Sequence, residues 1–180
     1  MDMRENNRVL IVDGHPVMRA GLAAVIRGTD CLEVCGEAGD AFEAVGLVET
    51  LQPDLVVVDL CLPDRPGIEF VKDICERNPL LRVLVVSQQA NDTFAEHAIR
   101  AGAHGYVCKN EPLEALREAF SRVLRGQVYV SERVSTRLLA RSVGRRKATM
   151  NTVDDLSDRE LQVFDMIGHG LSHTHTGNCM

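Results

Sequence analysis

Four polar residues that could carry chemistry stand directly behind short apolar runs in this sequence. Asp13 follows residues 9–12, Asp59 follows residues 55–58, Ser87 follows residues 83–86, and Lys109 follows residues 105–108. Continuous apolar runs of this length are typical of strands that are buried in a parallel sheet. Because parallel strands end at the same edge of a sheet, we expect the four side chains to converge on one crevice.

The chemistry that this set favours is phosphoryl transfer onto an aspartate. Two neighbouring carboxylates repel each other and need a cation, and a site of hard oxygen ligands suits Mg²⁺. A carboxylate can act as a nucleophile toward phosphorus, while a lysine and a hydroxyl can stabilise the charged phosphoryl oxygens. Each residue alone is more simply explained as a polar residue that begins a loop, but the four in this order favour a site.

The elements that must position these residues follow from hydrophobic periodicity. Apolar runs alternate five times with segments of helical spacing, which favours parallel strands joined by right-handed helical crossovers. The second helix, for example, is predicted to begin at Asp40 and to carry Phe42, Val45, Val48 and Leu51 on its apolar face. The predicted fold class is therefore α/β, a flavodoxin-like doubly wound sheet of five parallel strands.

Composition bounds the kind of protein that this is. The chain has 180 residues and 45% apolar residues, enough for one ordinary domain and a smaller second part. It has no run of 18 apolar residues and its first residues are polar, so we expect a cytoplasmic protein with no membrane partner. Its six cysteines form no C-x-x-C pair, and we expect them to be small buried hydrophobes rather than disulfides.

Charge is distributed unevenly along the chain. Residues 1–125 carry 13 basic and 20 acidic side chains, whereas residues 133–147 carry six basic side chains and no acidic one. An acidic module joined to a basic stretch suggests two parts with different partners. On charge alone, a solvated linker is the simpler interpretation of the basic stretch.

Four features within residues 8–125 together resemble the receiver domain of two-component response regulators. They are D-G-H-P at 13–16, D-L-C-L-P-D-x-x-G at 59–67, Ser87, and A-G-A-H-G-Y-V-C-K at 101–109. The H-P pair and the G-A-H-G-Y stretch resemble the NarL/FixJ subfamily, whose output domain is a LuxR-type helix-turn-helix.

This resemblance implies a role for each matching position. Asp59 would accept a phosphoryl group from the phosphohistidine of a sensor histidine kinase, and Lys109 would pair with that group. Asp13, Asp59 and the backbone carbonyl of Cys61 would hold Mg²⁺. The receiver would catalyse its own phosphorylation only, so no turnover enzyme is expected.

The resemblance also implies how the phosphoryl group would be sensed. Ser87 would form a hydrogen bond to the group and shift toward it. Tyr106 would then change rotamer and reshape the face made by the fourth helix, the fifth strand and the fifth helix. A homodimer is compatible with this scheme but does not follow from the sequence.

Two positions depart from the family pattern. Response regulators usually have two acids after the first strand, and the second binds the metal directly, but here that position is Gly14. We therefore expect weaker Mg²⁺ binding and slower phosphorylation. The residue after Ser87 is usually small, but here it is Gln88, whose side chain would either crowd phosphoryl donors or point to solvent. His15, His97 and His104 share no short spacing, so we expect loop or solvent-facing histidines rather than metal ligands.

The remaining chain predicts a linker and the beginning of a second domain. Residues 126–130 read as extended, and Ser131 fits the N-cap of a short helix with Val134, Leu138 and Leu139. Ser157 and Glu160 then form a capping box, and L-S-D-R-E-L at 156–161 resembles the first helix of a LuxR-type domain. An isolated amphipathic helix fits the same local pattern.

The predicted domains are a receiver at 1–125, a linker with a short helix at 126–152, and an incomplete all-α helix-turn-helix segment at 153–180. Residues 171–180 are too few for a recognition helix and contain no lysine or arginine, so DNA binding by this chain is doubtful. The ending at 173–180 does not resemble the family, which fits a frameshift, a gene fragment or an engineered cut. Zinc binding by His173, His175 and Cys179 is not expected, because structural sites need four ordered ligands.

Alternative functions remain open at this point. A receiver-like module could pair with partners without being phosphorylated. Gly14 and Gln88 favour this alternative, and it is opposed by the set of Asp59, Ser87, Tyr106 and Lys109. A phosphatase of the haloacid dehalogenase type would need a second aspartate where this chain has Cys61. Nucleotide binding is disfavoured because no glycine-rich phosphate loop follows any predicted strand.

Overall fold

The computed structural model describes residues 6–88 and 92–142 as a parallel sheet with helices on both faces. The chain alternates strand and helix throughout. Its elements are β1 Asn7–Val12, α1 Pro16–Arg27, β2 Leu32–Ala38, α2 Ala41–Leu51, β3 Leu55–Val58, α3 Gly67–Arg77, β4 Arg82–Ser87, α4 Asp92–Arg100, β5 Gly105–Cys108, α5 Leu113–Leu124 and α6 Glu132–Ser142.

The five strands form one sheet in the order β2-β1-β3-β4-β5, and every pair in it is parallel. This confirms the doubly wound fold expected from the alternation. In register, Val12 lies beside Val58 and Val58 beside Val85. The strand order reverses between β1 and β3, where ligand crevices of open α/β sheets are found.

Alternation of side chains along the strands divides the core into two layers. Leu10 and Val12 belong to the layer covered by α2, α3, α4 and α6, whereas Val9 and Ile11 belong to the layer covered by α1 and α5. Because both faces of the sheet are covered, residues 9–12 are all fully buried. A strand that is buried on both sides needs an unbroken apolar run, as the sequence has.

Capping residues mark the ends of α1 and the beginning of α2. Pro16 occupies the first turn of α1, and Gly28 is its C-cap. The carboxylate of Asp40 accepts a hydrogen bond from the Glu43 backbone N–H at 2.8 Å and thereby caps α2. The prediction for the face of α2 was wrong at one position, because Val48 is buried but Phe42 is 88% exposed.

The segment after α5 packs against the rest of the fold. The Tyr106 backbone N–H donates to the Tyr129 carbonyl at 2.8 Å, and the Tyr129 N–H donates to the His104 carbonyl at 3.0 Å. These bonds cover the outer edge of β5. Ser131 Oγ accepts a hydrogen bond from the Val134 N–H at 3.3 Å, as expected of an N-cap, and Val134 is buried in the core layer beneath α4 and α6.

Five of the six cysteines lie in the described part of the chain, and all five are free thiols. The expectation that they are buried is met only by Cys108, whereas Cys31 is exposed. No helix among residues 6–88 and 92–142 has the length and apolar character needed to cross a membrane. The capping box at 157–160 and the predicted helix-turn-helix segment at 153–180 lie outside the described residues.

Candidate functional site

The predicted site residues Asp13, Asp59 and Lys109 meet at the carboxyl edge of the sheet. Asp13 follows β1, Asp59 follows β3, and Lys109 follows β5. Backbone bonds continue the sheet beyond the strand ends and hold these positions: the Asp59 N–H donates to the Val12 carbonyl at 2.8 Å, and the Lys109 N–H donates to the Ser87 carbonyl at 2.7 Å. The convergence expected from strand ends is therefore found for these three residues.

The ammonium group of Lys109 bridges the two carboxylates. Its Nζ atom lies 2.7 Å from Asp13 Oδ2 and 2.8 Å from Asp59 Oδ2. All three side chains are almost fully buried, with exposed fractions of 6% for Lys109, 1% for Asp13 and 3% for Asp59. One cation thus faces two anions in a site with little water, and the set carries a net negative charge.

The second oxygen of Asp59 is the open position of the site. Asp59 Oδ1 is buried and has no hydrogen-bond partner among the described residues. A buried carboxylate oxygen without a partner is costly, so the site has both the charge and the lone pairs to receive a cation. This donor set of hard oxygens fits the divalent cation that the sequence predicted.

Burial and the neighbouring charges together shift the pKa values of Asp59 and Lys109. Desolvation raises the pKa of Asp59 above its ordinary value, the charge of Lys109 opposes the rise, and the charge of Asp13 adds to it. Burial alone would lower the pKa of Lys109, but the charge of Asp59 and the hydrogen bonds to both carboxylates outweigh it and raise that pKa. Lys109 therefore stays protonated and charged at neutral pH.

His15 is a member of the site that sequence reasoning missed. Its backbone N–H donates to Asp13 Oδ1 at 2.8 Å, and its Nδ1 atom lies 3.2 Å from the same oxygen. One ligand atom from each of Asp13, His15 and Asp59 can be chosen so that all three lie within 4.8 Å of one another. The side chain is 61% exposed in a loop, as expected, but its closeness to the carboxylates was not predicted. The available signal was the two-residue spacing from Asp13 before Pro16, which favours a local turn.

Gly14 faces the loop that follows β3. A Cβ atom at Gly14 would lie 3.7 Å from the carbonyl oxygen of Cys61, 3.7 Å from that of Gly39 and 3.3 Å from Pro63 Cδ. A side chain at this position would therefore point toward the predicted metal-binding carbonyl of Cys61.

The loop that carries Cys61 is fixed at several points. The backbone carbonyl of Leu60, the residue before Cys61, accepts a hydrogen bond from the Gly67 N–H at 2.9 Å. A Cβ atom at Gly67 would come within 2.5 Å of Leu60 Cα, so only glycine fits at this close approach. The carboxylate of Asp64 accepts hydrogen bonds from the backbone N–H groups of Ala41 and Phe42 at 3.0 Å each, which ties the loop to the beginning of α2.

The remaining predicted residues lie on β4 and β5. Ser87 ends β4, is fully buried, and is in register with Cys108, the residue before Lys109. Tyr106 lies on β5 opposite Val85 and is 7% exposed within the core layer of α4 and α6. Gln88 is exposed to solvent.

Comparison with known proteins agrees with this geometry. The model of the response regulator receiver domain matches residues 9–121. The oxygen regulatory protein NreC of Staphylococcus carnosus is 32% identical over 168 residues, which is 91% of this chain and 77% of NreC. The DNA-binding transcriptional activator DevR/DosR of Mycobacterium tuberculosis is 33% identical over 173 residues, 96% of this chain and 79% of that protein.

A solved structure gives the same result for the fold. The LuxR-family response regulator from Aurantimonas sp. superposes with a TM-score of 0.70 at 33% identity, covering 77% of this chain and 99% of that one. The family match spans the strands and loops that carry Asp13, Asp59 and Lys109. The chain therefore belongs to the response regulators, a family of signalling proteins rather than turnover enzymes, and contains their receiver domain.

Proposed function

We propose that this protein accepts a phosphoryl group on Asp59 from a sensor histidine kinase and thereby controls a DNA-binding transcriptional output. The observation that supports this most is the asymmetry of the Asp59 carboxylate. Its Oδ2 atom is paired with Lys109, whereas Oδ1 is buried without a hydrogen-bond partner. An unpaired carboxylate oxygen beside a fixed cation is suited to attack on phosphorus.

The transfer itself exchanges one bond for another. An oxygen of Asp59 forms an O–P bond while the P–N bond of the donor phosphohistidine breaks. The electron pair of that bond leaves on the imidazole nitrogen of the donor, which takes up a proton. Lys109, already within 2.8 Å of the Asp59 carboxylate, is placed to stabilise the charge of the phosphoryl oxygens.

A divalent cation such as Mg²⁺, when bound, would offset the charge of the phosphoryl oxygens. Asp13, Asp59 and the backbone carbonyl of Cys61 are the groups that would hold it. The absence of a carboxylate at position 14 removes one oxygen ligand, so we expect Mg²⁺ binding to be weaker than in a receiver with two acids there.

Ser87 and Tyr106 carry the signal in this proposal. Ser87 forms a hydrogen bond to the phosphoryl group, and Tyr106, on the neighbouring strand, changes rotamer in response. The output is transcriptional control: DevR/DosR is described as a DNA-binding transcriptional activator, and a similar output is proposed for the present protein.

The test is phosphorylation by acetyl phosphate in the presence of Mg²⁺, measured by intact mass. We expect one phosphoryl adduct on the parent and on Asp73→Asn, a control that removes a carboxylate outside the site. Asp59→Asn should remain unmodified. An adduct on Asp59→Asn equal to that on the parent would contradict the assignment of Asp59.

A second candidate is an interaction module that works without phosphorylation, and Gly14 is the observation that favours it. The variant Gly14→Asp separates the two functions, because its carboxylate would extend toward the Cys61 carbonyl. If Gly14→Asp is phosphorylated but the parent is not, the interaction module becomes the better account. Faster phosphorylation of Gly14→Asp than of a reactive parent supports the proposed function.

A further inference from the structure

The imidazole of His15 lies beside the Asp13 carboxylate of a pocket that lacks the usual second acid at position 14. Gly14 offers no ligand, but the next residue places Nδ1 3.2 Å from Asp13 Oδ1. The backbone holds His15 in this place, because its N–H is bonded to Asp13 Oδ1 and Pro16 begins α1 directly behind it.

The spacing of the three side chains is compatible with one shared ion. One ligand atom from each of Asp13, His15 and Asp59 can be chosen so that all three lie within 4.8 Å of one another. Two ligands of a single ion at ordinary bond lengths are about 3–4 Å apart, so a small contraction brings them into range. Asp59 Oδ1 is buried in the same pocket and has no hydrogen-bond partner among the described residues, so a bound cation would satisfy this oxygen.

We infer that His15 is a metal ligand of this receiver and that the site prefers a first-row transition cation such as Mn²⁺ to Mg²⁺. The inference deepens the proposed function, since it assigns the metal of the same phosphorylation pocket. Mg²⁺ demands oxygen ligands and gives up its water reluctantly. Mn²⁺ shares with Mg²⁺ a preference for carboxylate and carbonyl oxygens, but as a transition cation it accepts an imidazole nitrogen more readily than Mg²⁺ does, so the imidazole is the ligand that would separate the two ions.

The charge of the pocket favours the same choice. Lys109 already neutralises one of the two carboxylates, so a cation meets a single net negative charge. A neutral imidazole adds a ligand but no charge. It therefore increases the affinity for cations that gain from a nitrogen donor and contributes little to one that is held mainly by charge.

The experiment measures binding rather than phosphorylation. The full chain is titrated with Mn²⁺ and free Mn²⁺ is followed by electron paramagnetic resonance, while Mg²⁺ affinity is obtained by competition. We expect His15→Ala to weaken Mn²⁺ binding about tenfold, the size of effect seen when groups at metal sites are altered. Mg²⁺ binding should change by less than about twofold, because Mg²⁺ gains little from nitrogen.

Two controls separate the site from other histidines. His97→Ala removes an imidazole on α4, away from the cluster, and should leave both affinities unchanged. The measurements are repeated in a His173→Ala/His175→Ala background, which removes two further histidines that could bind Mn²⁺. Gly14→Asp should raise Mg²⁺ affinity and reduce the effect of His15→Ala on Mn²⁺, because a carboxylate then supplies the missing ligand.

The outcomes distinguish this inference from the proposed function. Equal losses for both cations in His15→Ala, or no loss of Mn²⁺ affinity, would overturn the role of His15. If the parent still forms the Asp59 adduct in that case, the proposed function stands. If Asp59→Asn binds Mn²⁺ as tightly as the parent, the pocket is not the metal site and the inference fails whatever the phosphorylation result.

Discussion

The surroundings of the Asp59 carboxylate in the folded protein are unfavourable to its charge. It is 97% removed from solvent, lies close to Asp13, and has one oxygen without a partner. Burial is the main cause of its raised pKa. A functional group of this kind is expected to lower stability, since the site serves chemistry rather than folding.

Asp59→Asn should therefore raise the free energy of unfolding, by about 1 kcal/mol, when no divalent cation is present. Asparagine removes the buried charge and the repulsion with Asp13, while Lys109 keeps its bond to Asp13. Urea unfolding in the presence of EDTA measures the difference. Added Mg²⁺ or Mn²⁺ should stabilise the parent more than the variant, because the ligand binds the folded parent.

The sign of the pH dependence follows from the raised pKa. Above the raised pKa, Asp59 is ionised in both states and its unfavourable effect is fully present. As the pH falls through the raised pKa, folded Asp59 takes up a proton, whereas the unfolded chain does so only near 3.8. The advantage of Asp59→Asn should shrink in that window, above pH 3.8. A difference that grows on acidification would contradict this account.

At the residue scale, the sequence predicted site residues where a chemically reactive side chain directly follows a strand. Asp13, Asp59 and Lys109 each follow an apolar run directly, so their meeting could be predicted from parallel topology. The place of His15 depends on the backbone turn that bonds its N–H to Asp13. The spacing among His15, His97 and His104, on which the prediction relied, carries no signal for such a turn, and for that reason the proximity of His15 to the carboxylates was missed.

At the element scale, strands were predictable because burial on both faces requires unbroken apolar runs. The buried faces of the helices were less predictable from the sequence. Helical spacing identifies an apolar stripe, but not how much of it the neighbouring elements cover, and Phe42 in the first turn of α2 is exposed. The packing of α6 was likewise invisible in a segment that is polar and basic, since it depends on a few apolar residues that meet α4.

Val134 provides the test of whether α6 is part of the folded unit. It is 1% exposed in the core layer, whereas Leu139 on the same helix is 63% exposed. Val134→Ala should lower the free energy of unfolding by about 1.6 kcal/mol, the value for two buried carbon groups. Leu139→Ala is the matched control and should change it by less than about 0.5 kcal/mol. Equal effects of the two variants in urea unfolding would mean that α6 unfolds independently of the sheet.

At the scale of the whole molecule, strand β5 and its contacts join the proposed phosphorylation site to α6. Lys109 of the site follows β5, and Tyr106 lies on the same strand with its N–H bonded to the Tyr129 carbonyl. Tyr106 and Val134 then share one core layer. A shift of β5 must therefore either move the segment at 126–138 or break its bonds to the strand.

The ion pair between Arg133 Nε and Asp92 Oδ2 at 3.0 Å adds a second link, from α6 to the beginning of α4. The Arg133 side chain is 84% exposed, so this pair is screened by solvent and contributes little energy. Transmission through the backbone bonds of Tyr129 and the packing of Val134 is consequently the stronger route. Transmission of a signal by these backbone bonds and this packing would depend only weakly on salt concentration.

Phosphorylation should thus change hydrogen exchange in peptides covering residues 126–142, even though these lie outside the pocket. Because the Tyr129 N–H is bonded to the His104 carbonyl, its exchange reports directly on the contact between the segment and β5. Hydrogen-exchange mass spectrometry with and without acetyl phosphate makes the measurement. Asp59→Asn should show no change, and Val134→Ala should show faster exchange in this segment before phosphorylation. Changes confined to the loops beside Asp59 would show that α6 does not sense the site.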